Sequence, residues 1–129
     1  MNLAYNILWF ENDEQWVDSI TEKLEDFFFD FGFLFNPDIY KDAQNLDTLI
    51  NQINNHEKDA DIILMDYNLL NNDKGNEIIK RIRAKDIFTE IIFYSEKTKV
   101  KEKFADECIE GIYFSERDTL FLRLQQIIP

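Results

Sequence analysis

Two kinds of hydrophobic spacing take turns along this chain. Ile7-Leu8-Trp9-Phe10, Ile62-Ile63-Leu64-Met65, Ile91-Ile92-Phe93-Tyr94 and Ile112-Tyr113-Phe114 are continuous apolar runs. Runs of this length suit strands buried on both faces, as parallel strands between two layers of helix are. A fifth, shorter strand is expected where Phe31, Phe33 and Phe35 alternate, ending before Asn36-Pro37-Asp38. Between the runs the spacing changes to three and four. Trp16, Ile20, Leu24, Phe27 and Phe31 form the stripe of an amphipathic helix, which Gly32 is placed to close. Leu46, Leu49, Ile50 and Ile53 mark a second helix, and Ile78, Ile79 and Ile82 a third that Gly75 opens. Val100, Phe104 and Cys108 mark a weaker helix over 97–108. Leu120, Leu124 and Ile127 mark the last, with Asp118 as its expected cap.

The order is β-α five times, with no internal repeat and no linker. Such alternation predicts one domain over residues 1–129, with parallel strands joined by right-handed crossovers and helices on both faces. A three-layer α/β/α sandwich follows. Each apolar run ends in polar residues: Glu11-Asn12, Asp66, Ser95 and Ser115-Glu116. Open α/β sheets collect their ligands at the carboxyl ends of the strands, so these groups are expected along one edge.

Charge narrows the partners. Twenty-six acids against fourteen bases give a net charge of -12, which argues against nucleic acid, whose phosphates demand a basic face. No apolar run approaches the ~20 residues of a membrane span, so no membrane association is expected. The first residues carry neither a basic start nor an apolar signal core. Cys108 is the one cysteine; it forms no internal disulfide, which fits a reducing cytoplasm, and reads as a small buried residue. His56, the one histidine, sits among Asn54-Asn55 and Glu57-Lys58 and reads as a loop residue.

Asp66 stands alone after a fully apolar run and before a polar loop, Asn68 to Lys74. The segment Ile63-Leu64-Met65-Asp66-Tyr67-Asn68-Leu69-Leu70, followed by Asp73-Lys74-Gly75-Asn76-Glu77-Ile78-Ile79, resembles the phosphoacceptor strand, loop and helix start of response-regulator receiver domains. The acidic turn after Ile7-Phe10, the hydroxyl of Ser95 and the aromatic Tyr113 agree with that family in the same order, and the resemblance covers essentially the whole chain. It implies a flavodoxin-like (βα)5 fold with strand order 2-1-3-4-5.

The resemblance also implies chemistry. Asp66 would be the phosphoacceptor, holding the group as an acyl phosphate. Meeting of two anions needs a cation, and Mg2+ suits hard oxygen ligands: Asp66, Asn12 and the backbone carbonyl of Asn68, with Glu11 acting through water. Ser95 would bond a phosphoryl oxygen, and Tyr113 would turn inward as the switch. The implied partners are a histidine kinase or phosphotransfer protein and a separate output protein. No enzymatic role is implied beyond the chain's own phosphorylation and dephosphorylation.

Two departures stand out. The turn is Glu11-Asn12 where the family has two acids, and Asn12 with Gln15 three residues on also fits a helix cap. Weakened Mg2+ affinity is expected. The family's lysine on the fifth strand falls on Glu116, followed by Arg117. A glutamate ~4 Å from Asp66 would oppose it by about 4 kcal/mol at an effective dielectric of ~20. Either Glu116 faces solvent or Arg117 takes the lysine's place. The other function class to weigh is a degenerate receiver that binds partners without phosphorylation. A flavin protein of the same fold is disfavoured, because a chain with three glycines lacks a glycine-rich phosphate loop.

Overall fold

The computed structural model describes residues 3–96 and 111–128. Five strands, β1 (Leu3–Phe10), β2 (Phe33–Tyr40), β3 (Ile62–Asp66), β4 (Ile91–Ser95) and β5 (Ile112–Glu116), form one sheet in the order β2-β1-β3-β4-β5. Every neighbouring pair is parallel. The described helices are α1 (Glu14–Asp30), α2 (Leu46–Asn54), α3 (Gly75–Ala84) and α4 (Leu120–Ile127). The helix expected over 97–108, with Val100, Phe104 and Cys108, lies outside the described residues.

Successive strand residues point to opposite faces, and the continuous apolar runs feed two cores. Leu8, Phe10, Ile63, Met65, Ile91 and Phe93 face α2 and α3, where Leu49, Ile50, Ile78, Ile79 and Ile82 meet them. Ile7, Trp9, Ile62, Leu64, Ile92 and Tyr94 face α1 and α4, against Val17, Leu24, Phe28, Leu120 and Leu124. Three layers result, as the alternation predicted.

Four boundaries differ from those expected. β2 does not stop before Asn36-Pro37-Asp38 but continues to Tyr40, in unbroken register with β1 from Leu3↔Phe33 to Phe10↔Tyr40. Proline is tolerated because β2 is an edge strand. Phe31 belongs to the end of α1, where Gly32, at φ +86°, donates its N–H to the Phe29 carbonyl at 2.9 Å. The cap of α1 is Asp13, not Asn12: its Oδ1 accepts from the Trp16 N–H at 3.1 Å. At the other end, Arg117–Thr119 form a 3-10 turn, so the residue before α4 is Thr119 rather than Asp118.

The loop after β3 is held from both sides. Asn68 and Lys74 form an antiparallel bridge, and Asp73 Oδ2 accepts from the Ala43 N–H at 2.7 Å. Gly75 packs directly on the end of β3. A Cβ there would lie 2.1 Å from the Asp66 carbonyl oxygen, so the residue opening α3 must be glycine.

Candidate functional site

At the carboxyl edge of the sheet a polar cavity of about 220 Å³ is lined by Glu11, Asn12, Asp13, Asp66, Asn68, Glu96 and Arg117. The strands explain the convergence: β1 and β3 are neighbours, so Glu11 and Asp66, each just at a strand end, are brought side by side. Both are buried, Glu11 at 1% and Asp66 at 8% exposure. They line the same cavity, close enough for the charge on Glu11 to act on Asp66.

Two carboxylates taken out of water together cannot both ionise freely. Burial and the charge of Glu11 push Asp66 up to about 8, against the opposing Asn68 and Tyr67 amides. Burial also raises Glu11, but donors on its other sides oppose that shift. The Asp13 N–H donates to Oε2 at 2.8 Å, and the Tyr94 hydroxyl donates to Oε1 at 2.9 Å. With both oxygens accepting, Glu11 is the better supported anion of the two, and Asp66 is the carboxyl pushed further up.

Arg117 approaches from the turn after β5. One guanidinium nitrogen meets Asp13 Oδ2 at 3.0 Å and another meets Glu96 Oε1 at 2.6 Å. Its plane lies over the Trp16 ring, 5.0 Å from the centroid. Glu116 is exposed. The pairing of Ser95 with Glu116 across β4 and β5 sets the register, and the 3-10 turn then carries the next residue inward. Of the two arrangements left open by the sequence, the glutamate is outside the cavity and the arginine lines it.

The remaining predicted residues divide. Ser95 is buried at the end of β4. Asn12 and Asn68 line the cavity, although the Asn68 side chain accepts from Lys74 Nζ at 2.7 Å. Tyr113 is not brought to the site. It pairs with Ile92, three rungs back along the sheet from Ser95, its hydroxyl lies 3.4 Å from Glu90, and Arg123 covers its ring at 5.5 Å.

Sequence reasoning missed Tyr94, Trp9 and Trp16. Tyr94 and Trp9 read as members of apolar runs, and both are fully buried. The signal available was chemical: a buried phenol or indole needs a partner for its polar atom.

Among the described residues no group of three or more His, Cys, Asp or Glu side chains forms a metal cluster. Of the four carboxylates lining the cavity, Asp13 and Glu96 are held by Arg117, which leaves those of Glu11 and Asp66 together with Asn12 and Asn68. Such a set fits Mg2+, which takes few protein ligands and keeps several waters, and a dication would relieve the like charges of Glu11 and Asp66.

An open parallel sheet in this order, with a buried aspartate at the end of its central strand, defines the receiver type of α/β/α sandwich. The chain has the fold of response-regulator receiver domains. It is similar to the phosphorylated cyanobacterial phytochrome response regulator RcpA, with 16% identity, 96% of this chain and 91% of that one covered, and a TM-score of 0.68. The Mn2+-bound response regulator Rcp1 matches at 18% identity, 95% and 91% coverage and a TM-score of 0.67. The receiver domain of the Francisella response regulator 1452 matches at 18% identity, 95% and 95% coverage and a TM-score of 0.62. No family model and no curated protein matches the sequence. No helix among the described residues is long and apolar enough to cross a membrane.

Proposed function

We propose that this chain is a phosphorylation-controlled signalling receiver in which Asp66 accepts a phosphoryl group from a histidine kinase or phosphotransfer protein. The observation that carries the reading is the meeting of Asp66, Glu11 and Arg117 around one polar cavity at the carboxyl edge of a receiver fold. One neighbour of this fold is phosphorylated and another holds Mn2+, which supports the same chemistry here.

An Asp66 carboxylate oxygen attacks phosphorus, the bond to the donor breaks, and an acyl phosphate remains on the chain. Only the ionised carboxylate can attack. Glu11, Asp66, the Asn12 amide and the Asn68 carbonyl would hold Mg2+, which supplies positive charge to both the carboxylate and the incoming phosphoryl oxygens. Arg117 stands in for the family's lysine: it exchanges Glu96 for the new phosphoryl group. Ser95 donates its hydroxyl to a phosphoryl oxygen, and the change passes along β4 and β5 toward Tyr113 and a separate output protein. The chain acts in the cytoplasm and performs no reaction beyond its own phosphorylation and dephosphorylation.

One observation favours a phosphorylation-independent binding module instead: Arg117 is already paired with both Asp13 and Glu96, and Asn12 brings no charge. Incubation with acetyl phosphate and Mg2+, followed by intact-mass measurement, separates the two. A phosphoryl adduct on the wild type that is missing from Asp66→Asn is expected. A folded, Mg2+-saturated protein that gains no mass would overturn the switch.

A further inference from the structure

Behind the cavity lies a buried hydrogen-bond chain that the phosphoacceptor chemistry does not use. Trp9 Nε1–H donates to the Tyr94 hydroxyl oxygen at 2.8 Å, and that hydroxyl donates to Glu11 Oε1 at 2.9 Å. Trp9 and Tyr94 are 0% exposed and Glu11 is 1% exposed. Trp9 lies on β1 and Tyr94 on β4, so the chain crosses the whole width of β3 on the α1/α4 face. Direction is fixed by chemistry. An indole nitrogen can only donate, so the phenol oxygen must accept there, and its single proton is left for Glu11. Trp16 packs on both rings, 5.9 Å from Trp9 and 5.5 Å from Tyr94, and holds them in place.

We infer that Tyr94, oriented by Trp9, is the positioning residue that aims Glu11 into the cation site. The inference rests on the reading of Glu11 and Asp66 as Mg2+ ligands. Glutamate has one more rotatable bond than aspartate, and an extra torsion in an acidic ligand must be fixed if the cation is to find it ready. Here one oxygen is pinned by the Asp13 amide and the other by Tyr94, so the carboxylate keeps one orientation in the cavity that Asp66 also lines. Partners in this outer position hold a ligand's geometry, and removing one typically weakens metal binding by about 10–100-fold.

The test is Mg2+ titration of the whole chain at one fixed pH, read by calorimetry and by tryptophan fluorescence, for the wild type, Tyr94→Phe, Trp9→Phe and the double variant. Tyr94→Phe keeps the ring and removes only the hydroxyl, and should weaken Mg2+ roughly tenfold. Trp9→Phe should weaken it less, by about threefold, and should add nothing in the Tyr94→Phe background, because it acts only through the hydroxyl. Loss of packing alone would lower the unfolding temperature in chelator without this pattern. A wild type that binds Mg2+ alongside a Tyr94→Phe variant of equal affinity overturns the inference, as does additivity of the two substitutions. A wild type that fails to bind Mg2+ at all refutes the cation site itself.

Discussion

Replacing Asp66 by Asn should stabilise the metal-free chain at neutral pH even as it removes the proposed reaction. Asp66 is raised from 3.8 in the unfolded chain to about 8 in the fold, by burial and then by Glu11. Between these values the folded state binds a proton that the unfolded state has released. Unfolding is therefore favoured as pH rises: the group is neutral in its effect below about pH 4, and its destabilisation grows until about pH 8. Across that window the stability falls steadily, by on the order of 3 kcal/mol between pH 5 and pH 7. Asparagine has the same shape and no titration, so the stability difference between the variant and the wild type should widen by about that amount. Glu11 shifts in the same direction, which is why the difference between the two proteins is the quantity to follow. Urea denaturation in chelator, monitored by circular dichroism across this range, measures it directly. Excess Mg2+ should flatten the wild-type slope, since the cation takes the proton's place. A difference that stays constant from pH 5 to pH 7, or an asparagine variant less stable than the wild type at pH 7, would refute the claim that Asp66 is held against its own preference.

Gly75→Ala sets a Cβ 2.1 Å from the Asp66 carbonyl oxygen; it should cost on the order of 1–3 kcal/mol or more in a thermal or urea melt, and Asp66 phosphorylation should fall with it. Arg117→Ala should slow phosphorylation by acetyl phosphate at least tenfold, about 1.4 kcal/mol of transition-state stabilisation, in time-resolved mass spectra, while Arg117→Lys retains part of the rate. Asn12→Asp adds a charge to the ligand set and should tighten Mg2+ roughly tenfold by calorimetry, with a further rise in phosphorylation where Mg2+ is limiting.

Legibility of the chain followed the strength of each local signal. The strands β1, β3 and β4 and the stripes of α1, α2 and α3 were readable because burial on two faces or on one stripe writes a distinct period; β5 reads the same way although, as an edge strand, it is only half-buried. β2 was half readable: its alternating phenylalanines were visible, but Pro37 read as an end, and only the pairing with β1 shows the strand running past it. The cap of α1 slipped by one residue because Asn12 and Asp13 are both good caps. In the fold Glu11 Oε2 takes the Asp13 N–H, and the Asp13 side chain in turn accepts from the Trp16 N–H. Asp66 was legible from its isolation after an apolar run. Whether Glu116 or Arg117 lines the cavity was not, because a single-residue register at a strand end depends on the neighbouring strand. Tyr94 was hidden for a different reason: a residue that packs as an aromatic and bonds as a phenol looks, in a hydrophobic run, only like the first.

The position of Pro37 has a meaning beyond the length of β2. An outermost strand offers a row of backbone groups to any other extended chain, and the unbroken pairing with β1 puts the missing N–H of Pro37 on the outward side. Accretion of a second sheet along that side would meet a gap midway, flanked by the exposed Asn36 and Asp38. A chain that leaves one rim of its sheet bare thus carries its own stop against fibril-like stacking at high concentration.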